Sequence, residues 1–255
     1  LFYCLNIYFS NMNSNAEIFD TIVHRRRSMR IFEAETFFDR DAVLRSIQRA
    51  VLAPNSSNMQ VWEFYRISKP EMIQRIAKYA MHQRAALTAR ELVVIVVRRD
   101  KWKTRAKYVL DHNETYYADK PELAHRMHRI RNYYGKLMPM YYFQDWFGLW
   151  GYLKKLIVFV ASFFRPVVWQ VSKSDLRVVC HKSAALAAQT FMLSMTAEGY
   201  DTCPMEGFDS VKVKRYLKLP HHCEINMIIG CGKGTQKGLY NERIRVPESD
   251  VIFDL

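Results

Sequence analysis

Seven consecutive residues, Cys203-Pro204-Met205-Glu206-Gly207-Phe208-Asp209, have the residue types needed to hold a flat ligand against the backbone. They follow a long helical pattern that ends at Gly199, and a second helical pattern comes after them. The proline, the Glu-Gly step and an aspartate suited to cap the next helix predict a tight turn between two helices. Because Gly207 has no side chain, a ligand can approach the main chain there closely. The alternative is an ordinary helix-to-helix turn with Asp209 as the N-cap.

Basic and hydroxyl side chains suited to bind a phosphate occur in two parts of the chain. A phosphate dianion is bound by several arginine, lysine or hydroxyl donors acting together. The candidates are Arg26, Arg27, Ser28, Arg30, Lys233, Arg243 and Arg245. Two alternatives remain open. Residues 26–30 could be a solvated basic helix end, and Arg243 and Arg245 could be a surface hairpin pair.

A third group of candidates forms a polar loop after a predicted helix. It runs Pro54-Asn55-Ser56-Ser57-Asn58-Met59-Gln60 and is dense in short hydrogen-bonding side chains. Taken alone, this stretch is typical of a solvent-facing loop.

Together these stretches resemble the motif set of the FMN-dependent nitroreductase family. The resemblance rests on Arg27-Ser28-Met29-Arg30, on the loop from Ala53 to Gln60, on the alanine-rich run 184–189 and on residues 204–209, in the family's order. It covers residues 16–100 and 175–250. It implies an α+β fold with a central, mostly antiparallel sheet flanked by helices, and a long helix at the centre of a homodimer.

The resemblance also implies roles for the candidate residues. Arg26, Arg27, Ser28 and Arg30 would reach the phosphate and the pyrimidine edge of FMN, with Arg30 stabilising charge near N1. Pro54, Asn55, Ser56, Asn58 and Gln60 would come from the partner subunit and contact the ring and ribityl chain. Pro204, Met205, Glu206 and Gly207 would form the cofactor-binding turn, with the main-chain amides of Glu206 and Gly207 at N5 and O4, while Arg243, Arg245 and Lys233 would hold the phosphate.

By the same resemblance, the chain is expected to take hydride from NADH or NADPH and to reduce nitroaromatic, quinone or related acceptors in two steps. No side-chain nucleophile and no metal is needed, because the cofactor carries the chemistry. Specialised reactions on the same fold are an alternative: dehalogenation, flavin cleavage or heterocycle oxidation. So is a non-catalytic basic protein that binds membrane or nucleic acid. The physiological acceptor and the preferred dinucleotide stay open.

The elements that position these residues follow from apolar periodicity. We predict helices at 41–52, from Pro70, at 175–198 behind a Ser174 cap and at 211–219, and strands at 61–67, 92–97 and 224–230. Ser14 or Asn15 caps a further helix whose apolar face is Ile18, Phe19, Ile22 and Val23. Interspersed helices and strands indicate an α+β class with a central sheet.

Composition limits the cellular compartment and the binding partners expected for this protein. The 255 residues carry a formal charge of +13, which fits nucleic acid, an anionic membrane surface or anionic small molecules. The basic residues are dispersed, which disfavours nucleic acid. Five cysteines without a CxxC pair favour a reducing cytoplasm.

Residues 101–174 form an insert longer than the family's usual connection, within a single domain at 14–255. Its second half is rich in Tyr, Phe and Trp, and its longest uncharged apolar run, 156–164, is too short to span a membrane. Three interpretations remain: a lid or an extension of the dimer interface, a membrane-surface contact, or a patch for another protein. Residues 1–13 are interpreted as an N-terminal extension, either a cloning artefact or an upstream start, with Met12 as a candidate initiator.

Overall fold

In the computed structural model, residues 14–143 and 149–255 are described. The predicted N-terminal extension lies outside the described residues. Helix α1 (Asn15–Arg25) begins at Ser14, which forms a capping box with Glu17, so the predicted cap is confirmed. Among the described residues its predicted apolar face is only partly covered: Phe19 is 55% exposed, and no residue of α1 is buried.

A four-stranded antiparallel sheet lies at the centre of the molecule, in the order β1-β2-β4-β3. Its strands are β1 (Trp62–Ile67), β2 (Glu91–Val97), β3 (Asp201–Met205) and β4 (Glu224–Gly232). All seven residues of β2 are buried, because the strand is central and both of its faces are covered. The predicted α+β class and antiparallel sheet are confirmed.

Helices cover both faces of the sheet. One face packs against α2 (Arg40–Ala50) and α9 (Lys173–Ala197), and the other against α3 (Pro70–Tyr79), α4 (Arg84–Leu87) and α10 (Ser210–Tyr216). The alternation of side chains along the strands therefore builds two apolar cores, one on each side of the sheet.

The long helix α9 packs closely against α2. Ser194 Oγ donates to Ser46 Oγ at 3.0 Å in the buried contact, and Glu198 accepts from Arg45 at 2.7 Å. The predicted Ser174 cap is wrong by two residues. The N-cap is Ser172, because Asp175 stands three residues after it and completes a capping box.

The described part of the insert is mainly helical. Its helical elements are α5 (Trp102–Tyr117), α6 (Ala124–Asn132), a π-helical turn (Tyr133–Leu137), α7 (Met138–Tyr142) and α8 (Leu149–Ser162). Within the described ranges, none of the helices combines the length and the hydropathy that crossing a membrane requires.

Candidate functional site

The carboxyl end of α1 is where the two basic groups of the sequence meet. Arg243 Nη2 donates to the carbonyl oxygens of Val23, His24 and Arg26 at 3.2, 2.8 and 2.7 Å. These carbonyls lack partners within the helix, and a cation is favoured there by the helix dipole. A residue more than 200 positions away is thereby fixed beside Arg26.

Main-chain bonds hold the segment after α1 against β3 and the chain that follows β4. Ser28 pairs with Thr202 in a parallel bridge, and the Met29 amide donates to the Thr202 carbonyl at 3.0 Å. The Arg30 amide donates to the carbonyl of Gly238 at 2.9 Å. The predicted Arg-Ser element is therefore an extended segment along the edge of the sheet.

The remaining cations lie around the same point. Arg27 Nη2 donates to the carbonyl of Asn241 at 2.5 Å, and Lys233 Nζ donates to that of Gly199 at 3.3 Å. The Arg30 guanidinium lies 5.6 Å from the centre of the Tyr240 ring, a cation–π contact.

Positive charge in this cluster is not balanced by the protein. Burial lowers the pKa of the Arg26 guanidinium, and the charges of Arg243, Arg245 and Arg27 lower it further. Among the residues that the structure describes, no carboxylate lies within 4.0 Å of any cluster cation. We call this group the cation cluster: Arg26, Arg27, Arg30, Lys233, Arg243 and Arg245. Its arrangement is that of an anion-binding site.

The predicted turn between helices at 203–209 is partly wrong. Pro204 and Met205 belong to strand β3, where proline is tolerated because β3 is at the edge of the sheet. The Met205 side chain is buried in the core and faces no open site. The turn itself is confined to residues 206–209 and leads into α10, whose N-cap is Asp209 as predicted.

Glu206 and Gly207 are exposed at the end of β3 opposite Thr202. No acceptor for the backbone N–H of either residue lies within hydrogen-bonding distance in the described part of the chain. The Gly207 carbonyl accepts from Gln83 Nε2 at 2.6 Å, and the Asp209 amide donates to the Tyr79 carbonyl at 2.8 Å. The turn is thus held from behind while its two amides face outward.

The polar loop before β1 has an unusual backbone. Ser57, Asn58 and Gln60 have φ values of 54°, 49° and 46°, in the left-handed region that non-glycine residues seldom adopt. Asn55 stabilises this shape, since its Oδ1 accepts from the Gln60 amide at 2.9 Å. The Ser56 amide donates to Ser183 Oγ on α9 at 3.2 Å.

Two tyrosines of the insert hold the same loop. The Ser57 side chain is 2.6 Å from the hydroxyl of Tyr133, and the Tyr134 hydroxyl donates to the Ser57 carbonyl at 2.9 Å. Burial raises the pKa of Tyr134. The insert is therefore tied directly to one of the predicted cofactor-binding segments.

Within one chain the predicted site residues form two separate groups. Ser28, the cation cluster, Pro204, Met205, Glu206 and Gly207 lie at the β3 edge of the sheet. Pro54, Asn55, Ser56, Asn58 and Gln60 precede β1 at the opposite edge. Strands β2 and β4 separate the two groups.

Gln83, Tyr133 and Tyr134 were not predicted from the sequence as residues that shape the site. Gln83 follows Met81 and His82, which have positive φ values of 57° and 56°. Methionine and histidine are not residue types that predict a tight turn of this kind. Tyr133 and Tyr134 lie in the insert just before its aromatic-rich second half, and they were not singled out from the sequence.

An apolar cavity of about 550 Å³ lies between α8, the segment 133–141 and the polar loop. Ser56, Tyr133 and Tyr141 line it on one side, and Ile157, Val158 and Arg165 line it on the other. Its volume is in the range of small-molecule sites. The cavity thus adjoins the group of predicted site residues that precedes β1.

With this geometry established, comparison with known proteins places the chain. The model of the Nitroreductase family matches residues 23–233, so the chain belongs to the nitroreductase family. The recognition made from the sequence is confirmed. Arg243 and Arg245 lie beyond the matched range, and their place beside Arg26 comes from the structure alone.

The similarity to known relatives extends over nearly the whole chain. The DrgA protein of Synechocystis sp. is 26% identical over 234 residues, which are 91% of this chain and 90% of that protein. The structure of ydfN from Bacillus subtilis has a TM-score of 0.70 at 20% identity and covers 93% of this chain and 98% of its own. A protein of Exiguobacterium sibiricum, solved in complex with FMN, has a TM-score of 0.64 at 19% identity. The match covers 93% of this chain and 97% of that chain. At these identities the structures show a shared fold.

The residues present fit an FMN molecule on chemical grounds. The cation cluster lacks a protein counter-charge and suits a phosphate dianion, and the outward amides of Glu206 and Gly207 suit the polar edge of a ring. The two features lie at opposite ends of β3, as suits a cofactor whose phosphate and ring are separated by a chain. Family membership supports flavin-dependent oxidoreductase chemistry in general.

Proposed function

We propose that this protein is an FMN-dependent oxidoreductase that takes hydride from NADH or NADPH and reduces nitroaromatic, quinone or related acceptors. The observation that carries the proposal is the cation cluster, in which cations from two parts of the chain meet with no carboxylate partner among the described residues. Arranging like charges in this way is unfavourable unless an anion joins them. The phosphate of FMN is the anion that the fold family predicts.

Each part of the proposed site has a distinct task. Arg26, Arg27, Arg243 and Arg245 hold the phosphate, with Lys233 and Ser28 as further donors. Arg30 places a positive charge beside the cofactor, where it favours the anionic reduced state electrostatically. Gln83 fixes the carbonyl of Gly207, so that the amides of Glu206 and Gly207 stay oriented outward. Bound FMN supplies hydride acceptance and donation, and no side chain is needed as nucleophile.

We infer that the working unit is a homodimer. The polar loop and the cation cluster lie on opposite edges of one sheet, so a complete site needs the loop of a second copy. Two exposed apolar surfaces support this proposal: Ile18 and Phe19 on α1, and Val178 and Leu186 on α9. In the dimer, the cavity beside Ser56 would adjoin the shared site and receive the acceptor.

A location in the cytoplasm is part of the proposal. Its support is the cysteine chemistry: the described cysteines, Cys180, Cys203, Cys223 and Cys231, are free and buried. Burial raises the pKa of each of these thiols, so they stay protonated and unreactive.

The proposal is tested by the visible absorption of the purified protein under anaerobic conditions, before and after NADH or NADPH is added. We expect flavin bands that bleach with at least one donor and return when a quinone or nitroaromatic acceptor is added. Arg30→Ala should weaken FMN binding and slow bleaching, whereas Arg75→Ala, an exposed arginine outside the site, should change neither. A protein that stays colourless and takes up no added FMN would refute the proposal.

A further inference from the structure

Helix α8 contacts the rest of the protein along one face. Gly151 packs against the backbone of Ser172 and Lys173, and the buried Lys154 donates to the carbonyl of Tyr141 at 3.0 Å. Val158 and Ala161, at helical spacing from these residues, line the cavity beneath the helix. The inner face of α8 therefore faces the body of the protein and the cavity.

The opposite face of α8 is apolar and exposed among the described residues. It consists of Tyr152, Leu153, Leu156, Phe159 and Val160, continued by Phe163 directly after the helix. At 100° per residue these side chains fall within an arc of about 120°. Tyr152, Leu156 and Phe163 are 75%, 60% and 71% exposed. Just beyond the helix, Phe164 and Trp169 extend the same kind of surface.

An apolar surface of this size is rare on a soluble protein and marks a contact with another apolar phase or molecule. The helix has 14 residues and is about 21 Å long, which is shorter than the apolar layer of a bilayer. A helix of this kind can lie in the plane of a membrane surface. Such helices usually carry a polar face toward water, and here the body of the protein occupies that side.

The charged residues of α8 and of the segment that follows it have a single sign. Residues 146–174 contain no aspartate or glutamate. Lys155 on the flank of α8, Arg165 just after it and Lys136 before α7 are all exposed. Basic residues beside an inserted apolar face are attracted to anionic lipid headgroups.

A second copy of the chain fits this surface less well. A symmetric contact would bring the same patch of each copy together. Lys155 and Arg165 would then face their own counterparts, and no acidic residue of this segment would offset the repulsion.

We propose that α8 docks the protein on an anionic lipid bilayer, with Leu153, Leu156 and Phe163 in the acyl boundary and Lys155 and Arg165 at the headgroups. Trp169 and Tyr152 suit this position, because amphipathic aromatic rings favour the interface between lipid and water. The inference does not depend on the flavin, since it concerns only the outer face of the insert.

The test is flotation of the full chain with phosphatidylcholine vesicles, with and without phosphatidylglycerol. We expect binding that is about tenfold stronger or more when phosphatidylglycerol is present. Leu156→Ser/Phe163→Ser should weaken binding by at least about tenfold. The matched control is Phe37→Ser/Val211→Ser, which removes exposed apolar side chains elsewhere and should bind like the wild type.

Several outcomes would overturn the proposal. One is a wild-type protein that does not float with either kind of vesicle, and another is equal binding to both kinds. A third is unchanged binding of Leu156→Ser/Phe163→Ser, which is judged only after circular dichroism shows that the variant is folded. If light scattering instead shows a larger oligomer that this variant dissociates, a second copy covers the helix and the bilayer does not.

Discussion

The side-chain amide of Gln83 donates a hydrogen bond of 2.6 Å to the carbonyl oxygen of Gly207. Gln83 stands before the short helix α4 and Gly207 follows an edge strand, so this bond joins two segments 124 residues apart. An added Cβ on Gly207 would lie 3.4 Å from Gln83 Nε2. The two residues are thus in contact, and the orientation of the turn depends on both.

Gln83→Ala is expected to loosen this turn and to slow reduction of the bound flavin by about fivefold, the equivalent of one hydrogen bond. FMN affinity should change little, because Gln83 is not in the cation cluster. Stopped-flow bleaching with NADH or NADPH measures the rate. Gln74→Ala is a suitable control, since Gln74 makes a similar bond of 2.9 Å to the Leu87 carbonyl. Equal rates in wild type and Gln83→Ala would remove the residue from the site.

Arg243 and Arg245 should differ when each is replaced by alanine. Both variants should raise the dissociation constant of FMN by about tenfold. Only Arg243→Ala should also destabilise the protein without cofactor, by about 1–2 kcal/mol, because Arg243 alone holds the carbonyls at the end of α1. Fluorescence titration with FMN measures the affinity for the cofactor. Urea denaturation without cofactor measures the stability. Identical stability of the two variants would show that the α1 contact contributes nothing measurable.

Acid should weaken the junction of α9 and α2. Hydrogen bonding to the Arg45 guanidinium, with Arg49 contributing, holds the pKa of Glu198 down to about 2. A carboxylate with a lowered folded-state pKa stabilises the fold above its usual range near 4.5, and this contribution is lost as the pH falls toward 2. Thermal unfolding between pH 6 and about pH 3 should therefore show a flatter acid dependence for Glu198→Gln. Glu71→Gln, at a residue without an ion pair in the described ranges, should retain the wild-type slope.

The contact between the insert and the polar loop should weaken when one of its two tyrosine hydrogen bonds is removed. Tyr134→Phe deletes the bond to the Ser57 carbonyl and should cost about 1 kcal/mol of local stability. Hydrogen exchange at residues 54–60 is expected to become faster. Tyr108→Phe, at an exposed position of α5, is the control. Unchanged protection of the loop would mean that the aromatic contact does not hold it.

The sequence predicts the parts of this fold whose periodicity is strong. Strand β2 is a continuous β-branched run, and α2 and α3 carry clear apolar stripes, so their positions follow from pattern alone. Helix α9 was predicted from its alanine-rich composition and the Gly199 that follows it. Strand β3 could not be predicted this way, because it is five residues long and contains Pro204. Its strand conformation depends on pairing with β4, a contact distant in sequence.

The candidate site was predictable only through the resemblance. Arg27 and Arg30 taken alone are typical of a solvated helix end, and nothing local connects them to Arg243. The contact arises because Arg243 supplies the donors that the end of α1 lacks. Gln83 and Tyr134 bind backbone carbonyls. Every residue has a backbone carbonyl, so the sequence does not show which residue is contacted.

The separation of the two half-sites by strands β2 and β4 has a genetic consequence. A copy that lacks Arg30 still carries a sound polar loop, and a copy with a damaged loop still carries sound cations. In the proposed homodimer each copy alone would form only impaired sites, whereas a mixed pair would hold one site in which both halves are intact. Two defective alleles of this gene, expressed in the same cell, should therefore restore each other's activity.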